Sequence, residues 1–335
     1  MKKIIITGGC GYVGSFVCNM FLKKNFKVFV VDNNTKGNVF INNKNIKYFN
    51  FNFGNKNKII NLINANRIEN FIHLAAFIDS AESVVKPKIY IKNNFEFTKK
   101  ILMELPSTTI KRFLFASTAA VYGNSKKNKI SEKFSKSPKS PYGISKLKSE
   151  IVIEKILKKS QINYTILRLF NVAGANPTSK LGPFNSKYNH IFNKLIRNRK
   201  FKIYGTNYNT LDGTTVRDYI HPDDVSESFY KSYRLMLKNN KNEIFNCGSG
   251  RAFSVKNILD NFSRYIDYKI EIINEKRRPG DPSYILSNNK KIKKKLNIKF
   301  KKSKIKNIIL SLISWKRLYI DGISNQSKKI IIKNS

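Results

Sequence analysis

Thr7-Gly8-Gly9-Cys10-Gly11-Tyr12-Val13-Gly14 follows Ile4-Ile5-Ile6, a β-branched run with no polar face. Such a run reads as a strand buried on both sides. After the turn, Val13, Phe16, Val17, Met20 and Phe21 recur at helical spacing. A buried strand, glycines spaced G-x-x-G-x-x-G and an amphipathic helix together open a parallel α/β unit. The glycines leave bare backbone N–H groups and no Cβ at the helix N-terminus, which is what a pyrophosphate needs for close approach. An ordinary turn is the alternative, and the flanking elements argue against it.

The alternation continues. Residues 28–31, 46–51, 71–74, 113–116 and 164–169 read as further strands, with helices near 59–63, 88–105 and 142–157. This pattern predicts the α/β class: a doubly wound, parallel Rossmann-type sheet with a smaller C-terminal α/β lobe. Gly, Pro, Asn and Ser cluster over 174–186, the best candidate for a boundary. The expected division is 1–175 for the dinucleotide-binding domain, with segments near 216–250 returning to it. Residues 176–320 form the second lobe and 321–335 a frayed basic tail. Ile305, Ile308, Ile309 and Leu312, with Trp315 close by, mark one late helix.

At 335 residues with 41% hydrophobic content, the chain has enough apolar mass for a real core. Its charge is extreme: 64 Lys and Arg against 21 Asp and Glu, a net +43. That raises nucleic-acid binding as a reading. The lysines, however, are spread over nearly every stretch, and only 290–306 is locally dense. Diffuse bias is the better reading, with no specific nucleic-acid partner expected. Cys10, Cys18 and Cys247 are odd in number and lack C-x-x-C spacing. They suit a reduced cytoplasmic protein, and no metal is expected. No stretch approaches the ~18 apolar residues of a membrane span.

Two further features carry chemistry. Asp32 ends the second strand, 18 residues past Gly14. A carboxylate there accepts both ribose hydroxyls of an adenosine and repels a 2′-phosphate, which favours NAD over NADP. A solvated turn acid beside Asn33 and Asn34 is the alternative. Tyr142 and Lys146 lie four residues apart, on one face of a helix. A nearby ammonium favours the phenolate and so prepares a tyrosine to exchange a proton. With 16 tyrosines present, the pair alone is a weak signal. Ser117 and Thr118 strengthen it, because a hydroxyl at the end of the fifth strand faces the same crevice.

The glycine turn, the Ala116–Gly123 segment and the Tyr142/Lys146 pair together resemble the extended short-chain dehydrogenases/reductases. His73-Leu74-Ala75-Ala76-Phe77 and Arg168-Leu169-Phe170-Asn171-Val172-Ala173-Gly174-Ala175 are similar to further segments of that family. Asp212-Gly213-Thr214-Thr215-Val216-Arg217-Asp218-Tyr219-Ile220-His221 resembles a signature of its UDP-glucose 4-epimerase branch. So do Arg278-Pro279-Gly280-Asp281-Pro282 and the Asn246-Cys247-Gly248-Ser249-Gly250 turn. The likeness spans residues 1 to about 317.

The resemblance implies reversible C4 epimerisation of a UDP-hexose with tightly bound NAD. Hydride leaves C4, a 4-keto sugar turns over in the site, and the hydride returns. Tyr142, Lys146 and Thr118 take the catalytic roles. Gly8, Gly11, Tyr12, Val13, Asp32, Asn33, Asn52, Phe53, Leu74, Ala75, Ala76, Asn93 and Phe170 join Tyr142 and Lys146 in binding the cofactor. Asn171, Arg217, Arg278 and Asp281 join Thr118 and Tyr142 on the UDP-sugar. An ion pair with Asp218 or Asp281 is the alternative for the arginines. A homodimer through a helix pair that includes the Tyr142 helix is also implied. Related dehydratases carry Asp or Glu just after the hydroxyl residue; Ala119 and Ala120 stand there, which favours epimerisation. Asn52-Phe53 replaces the family's usual Asp-Ile, Ile78 a frequent lysine, and 184–201 departs from the pattern. Ile285 stands near the position that gates N-acetyl sugars. The alternatives are a UDP-glucuronate or UDP-N-acetylglucosamine 4-epimerase and, remotely, a basic nucleic-acid-binding protein on a Rossmann scaffold.

Overall fold

The computed structural model describes residues 1–124, 129–184, 190–278, 280–321 and 330–333. Its strands are β1 (Lys2–Thr7), β2 (Phe26–Asp32), β3 (Val39–Asn42), β4 (Ile46–Asn50), β5 (Asn70–His73), β6 (Arg112–Thr118), β7 (Asn163–Leu169), β8 (Asn171–Val172), β9 (Lys200–Tyr204), β10 (Val216–Ile220), β11 (Glu243–Cys247), β12 (Ala252–Ser254), β13 (Glu271–Glu275) and β14 (Ile330–Lys333). Its helices are α1 (Tyr12–Lys23), α2 (Lys56–Asn66), α3 (Ser80–Val85), α4 (Pro87–Ile91), α5 (Phe97–Glu104), α6 (Pro141–Leu157), α7 (Ile191–Arg197), α8 (Pro222–Asn239), α9 (Val255–Ser263), α10 (Lys290–Leu296) and α11 (Ile305–Lys316).

Seven strands form one parallel sheet in the order β11-β7-β6-β5-β1-β2-β4. From β1 the chain builds outward through β2 and β4, then returns to add β5, β6, β7 and β11 on the other side. The order reverses between β1 and β5, and such a switch point opens a crevice at the C-terminal strand ends. The apolar runs predicted as strands are buried because helices cover both faces. One core holds Ile4, Ile6, Val28, Val30 and Leu114 under α1 and α8. The opposite core holds Ile5, Phe29, Phe71, Phe113 and Ile166 under α2, α5 and α6.

Outside this sheet, β12-β10-β8 and β13-β9 form small sheets. A third core packs Phe192, Ile258, Phe262, Ile309 and the fully buried Trp315. The predicted helix over 88–105 starts at Pro87 and is interrupted by a π-turn at Lys92–Glu96. The sequence reading assigned no strand to 39–42 and none to the tail. In the structure Val39–Asn42 and Ile330–Lys333 pair in parallel.

Candidate active site

At the switch point lies a crevice of about 1090 Å³, lined from the ends of β1, β2, β5 and β6 and from the second lobe. Its floor is the glycine turn. Gly8 has φ +74°, and a Cβ there would stand 2.6 Å from the Ala75 amide nitrogen. The turn therefore sits directly against the segment after β5, and any side chain would part them. Gly11 opens α1 and is the uncrowded one: a Cβ there would meet only the Gly8 carbonyl oxygen, at 3.3 Å. The Tyr12 hydroxyl donates to the Gly174 carbonyl oxygen at 2.5 Å, tying the turn to the loop after β8.

Asp32 is not a solvated turn acid. Its carboxylate accepts from the Cys10 amide (3.0 Å) and the Asn34 amide (2.9 Å), and it lines the crevice. Burial raises its pKa, and those backbone bonds oppose the rise. Val13, Asn33, Phe53, Leu74, Ala75, Ala76, Asn93 and Phe170 line the same space. Asn52 does not. Its carboxamide accepts from the Gly54 amide at 2.7 Å, closing an Asx turn on the exposed side of the chain.

Ser140 caps α6 by accepting from the Gly143 amide at 3.2 Å, and Pro141 occupies the first helical position. This start places Tyr142 in the first turn and Lys146 one turn on, both buried. The Tyr142 phenol and the Thr118 side chain at the end of β6 line the same crevice. Ser117, its possible confusant, is engaged elsewhere: its hydroxyl donates to the buried Glu150 carboxylate. Thr118 is thus the hydroxyl that faces the crevice with Tyr142.

The electrostatics differ from the expectation. Burial pushes the Tyr142 phenol up to about 12, and Thr118 is what opposes it; Lys146 exerts no resolved pull. Lys146 is itself only 2% exposed, and burial lowers it to about 7. Spacing revealed the shared face but not the desolvation, which here outweighs the attraction.

In the second lobe, Arg217 is paired with Asp281, its Nη2 2.5 Å from Oδ1. Arg278 lies over the Tyr204 ring, 3.7 Å from its centroid, with no carboxylate partner among the described residues. Asp218 pairs with neither arginine. It is fully buried and accepts from the Ser249, Gly250 and Ser287 amides and from the Ser249 and Ser287 hydroxyls. Asn171, Arg217, Arg278 and Asp281 all line the crevice, as does Ile285. Residues 185–189, within the divergent stretch, lie outside the described residues.

Sequence reasoning missed Asn94. The π-turn buries it beside Asn93, where it donates to the Phe77 carbonyl oxygen (2.8 Å) and accepts from the Phe77 amide (2.9 Å). It also donates to Ser145 of α6 at 3.2 Å. The register shift that brings both asparagines inward carries no signal in the sequence, although π-turns cluster at functional sites.

NAD fits this arrangement. Bare backbone at Gly8 and Gly11, a buried carboxylate at the end of β2 and a buried ammonium with no hydrogen bond among the described residues match its pyrophosphate and its two riboses.

Comparison with known proteins agrees. Residues 4–248 match the model of the NAD dependent epimerase/dehydratase family. The UDP-glucose 4-epimerase of Streptococcus mutans is 31% identical, the match covering 96% of this chain and 99% of that one. A crystal structure of a UDP-glucose 4-epimerase superposes with a TM-score of 0.89 at 29% identity, covering 97% of this chain and 100% of the other. The Bifidobacterium longum UDP-glucose 4-epimerase, solved with NAD+ and UDP, gives a TM-score of 0.85 at 25% identity, covering 96% and 100%. Fold, crevice and sequence agree that the chain belongs to the NAD dependent epimerase/dehydratase family.

Proposed function

We propose that this protein interconverts the C4 epimers of a UDP-hexose, UDP-glucose and UDP-galactose, through a 4-keto sugar and with NAD retained in the crevice. One observation carries the reading: Thr118, Tyr142 and Lys146 share a single crevice with the glycine turn and Asp32. When bound, NAD supplies the hydride acceptor for C4 and a positive ring charge that favours the phenolate. Tyr142 takes the proton from the sugar's 4-hydroxyl and later returns it. Thr118 holds the same oxygen. Lys146 turns its unpartnered ammonium to the nicotinamide ribose. Ala119 and Ala120 have no proton to give, so neither elimination nor a second acid–base pair competes. Arg278 and Arg217 take the diphosphate, which suits a planar guanidinium fork.

The test is a panel of UDP-sugars incubated with purified protein and no added NAD, with products separated by chromatography. UDP-galactose appearing from UDP-glucose is the expected result; no conversion of any UDP-hexose overturns the reading. Ile285 supports one extension. It lines the crevice with a side chain smaller than tyrosine, which leaves room for an N-acetyl group.

We infer further that the protein is a cytoplasmic homodimer. Among the described residues no helix is long and apolar enough to cross a membrane, and the three cysteines are buried and free. Val84, Val85, Ile89, Met103, Ile144 and Ile151 are exposed on α3, α4, α5 and α6, which pack together. An apolar face of this kind suits a two-fold contact. Light scattering on the wild type and on Ile151→Glu tests it; a monomeric wild type overturns it.

A further inference from the structure

Lys146 is oddly isolated for a buried cation. Its ammonium lies 4.2 Å from the centroid of the Phe115 ring and has no hydrogen bond or ion pair among the described residues. An unpartnered buried charge tends to shed its proton. The polar groups around it come from few elements. From β5, His73 is fully buried and held neutral, its pKa down to about 3. From the π-turn, Asn94 presents a neutral carboxamide to α6. On α6 itself, the protonated Tyr142 lies one turn before Lys146, and Glu150 lies one turn after it on the same buried face.

Glu150 has no role in the chemistry described above, yet it is 1% exposed and elaborately held. Arg168 of β7 donates from Nε to both carboxylate oxygens, at 3.0 and 3.2 Å, and from Nη2 to Oε2 at 2.6 Å. Ser117 donates from the other side. Arg168 is anchored in turn by Nη1, which donates to the Tyr122 hydroxyl (2.7 Å) and the Glu132 carbonyl oxygen (3.2 Å). These bonds fix the Glu150 carboxylate in place one turn from Lys146. No direct ion pair joins the two, so their attraction acts through the low-dielectric interior.

We propose that Glu150 is a positioning residue that sustains the Lys146 proton against burial, with Arg168 as the mount that holds its carboxylate in place. The proposal rests on Lys146 being the cationic member of the proton-transfer site. Its physical content is a balance: burial drives the Lys146 proton off, and Glu150 is the charge that holds it on. A purely structural ion pair would contribute packing and nothing to that balance.

The test uses Glu150→Gln and, because an unpaired buried Arg168 endangers folding, the double variant Glu150→Gln/Arg168→Met. Lys146 is titrated in the cofactor-free protein by competitive acetylation across pH, read by mass spectrometry. In parallel, the pH profile of epimerisation is measured. The expected result is a Lys146 midpoint about one pH unit lower in Glu150→Gln, and lower by a smaller amount in the double variant, which also loses the Arg168 charge. The alkaline limb of the activity profile should move down with it. An unchanged Lys146 midpoint in a folded variant overturns the proposal, whatever happens to the rate. If the wild type epimerises no UDP-sugar, the functional reading fails, while the labelling result still decides the role of Glu150.

Discussion

Thr118 at the end of β6 is the one group resolved against the rise that burial imposes on the Tyr142 phenol of α6. The pair therefore works as a unit: β6 supplies the hydroxyl that orients the phenol, and the first turn of α6 supplies the phenol. Tyr142→Phe should abolish epimerisation while leaving NAD binding and the thermal unfolding midpoint near wild type. Thr118→Val should lower kcat by about 10²-fold, the lower end of what a positioned proton-transfer group contributes. Steady-state kinetics with NAD titration checks both. Appreciable turnover by Tyr142→Phe removes Tyr142 from the proposed role.

The depressed Lys146 pKa has a stability consequence. The folded state holds this proton only below about 7, whereas the unfolded chain holds it up to the ordinary value of 10.5. Between those values the unfolded state binds more protons, so stability rises with pH across the window, and the full penalty applies below it. Lys146→Met removes this dependence. In the cofactor-free protein the variant should be the more stable of the two at pH 7, by on the order of 4 kcal/mol before losses from packing. The gap should close towards pH 10. Urea unfolding at the two pH values tests this; a gap that does not change with pH contradicts it.

Much of the site was legible because its signals are local. The Gly8–Gly14 turn, the acid that ends β2 and the Tyr142/Lys146 spacing each lie within one element or one turn, where residue type constrains backbone directly. What escaped joins distant segments. Arg168 reaches Glu150 across 18 residues, Arg278 stacks on Tyr204 of β9, and Asn94 depends on a π-turn register. Asn52, expected at the cofactor, instead closes an Asx turn, a purely local choice. The Tyr142 phenol was expected to be acidic because spacing shows proximity, while burial, which decides the sign, is a property of the whole fold.

His73 links the sheet to the segment that carries Asn94, and its protonation can be deduced. Thr98 donates its hydroxyl to the Asn94 carbonyl oxygen at 2.8 Å, so it must accept from His73 Nε2–H at 2.9 Å. Nδ1 is then the acceptor for the Thr7 hydroxyl at 2.6 Å. A proton on Nδ1 would force the Thr7 hydroxyl to turn from donor to acceptor inside the core. The folded pKa is about 3 against 6.5 unfolded, so the unfolded state takes the proton first and stability is lost as pH falls below 6.5. Other buried groups titrate in this range too; Asp224, raised to about 6, works in the opposite direction. The clean measurement is therefore a difference. The stability advantage of wild type over His73→Gln should shrink by up to about 1.4 kcal/mol per pH unit below 6.5. A constant difference from pH 7 to pH 4 would show that His73 is not held neutral.

Arg217 and Arg278 both line the crevice, but their charges are not equally available. Arg217 is committed to Asp281 at 2.5 Å, whereas Arg278 rests on an aromatic face with no carboxylate among the described residues. Of these two arginines, Arg278 is therefore the one that offers a diphosphate an uncompensated guanidinium. Arg278→Ala should raise the KM for the UDP-sugar about 10- to 100-fold, the range of a lost charge-assisted hydrogen bond, with NAD affinity unchanged. Arg217→Ala acts differently, because it leaves Asp281 as a bare negative charge facing the same anion. Adding Asp281→Asn should then recover part of the lost affinity. Isothermal titration with UDP and with NAD separates these outcomes. If Arg278→Ala weakens NAD as much as UDP, the arginine belongs to the cofactor's half of the crevice rather than to the sugar nucleotide's.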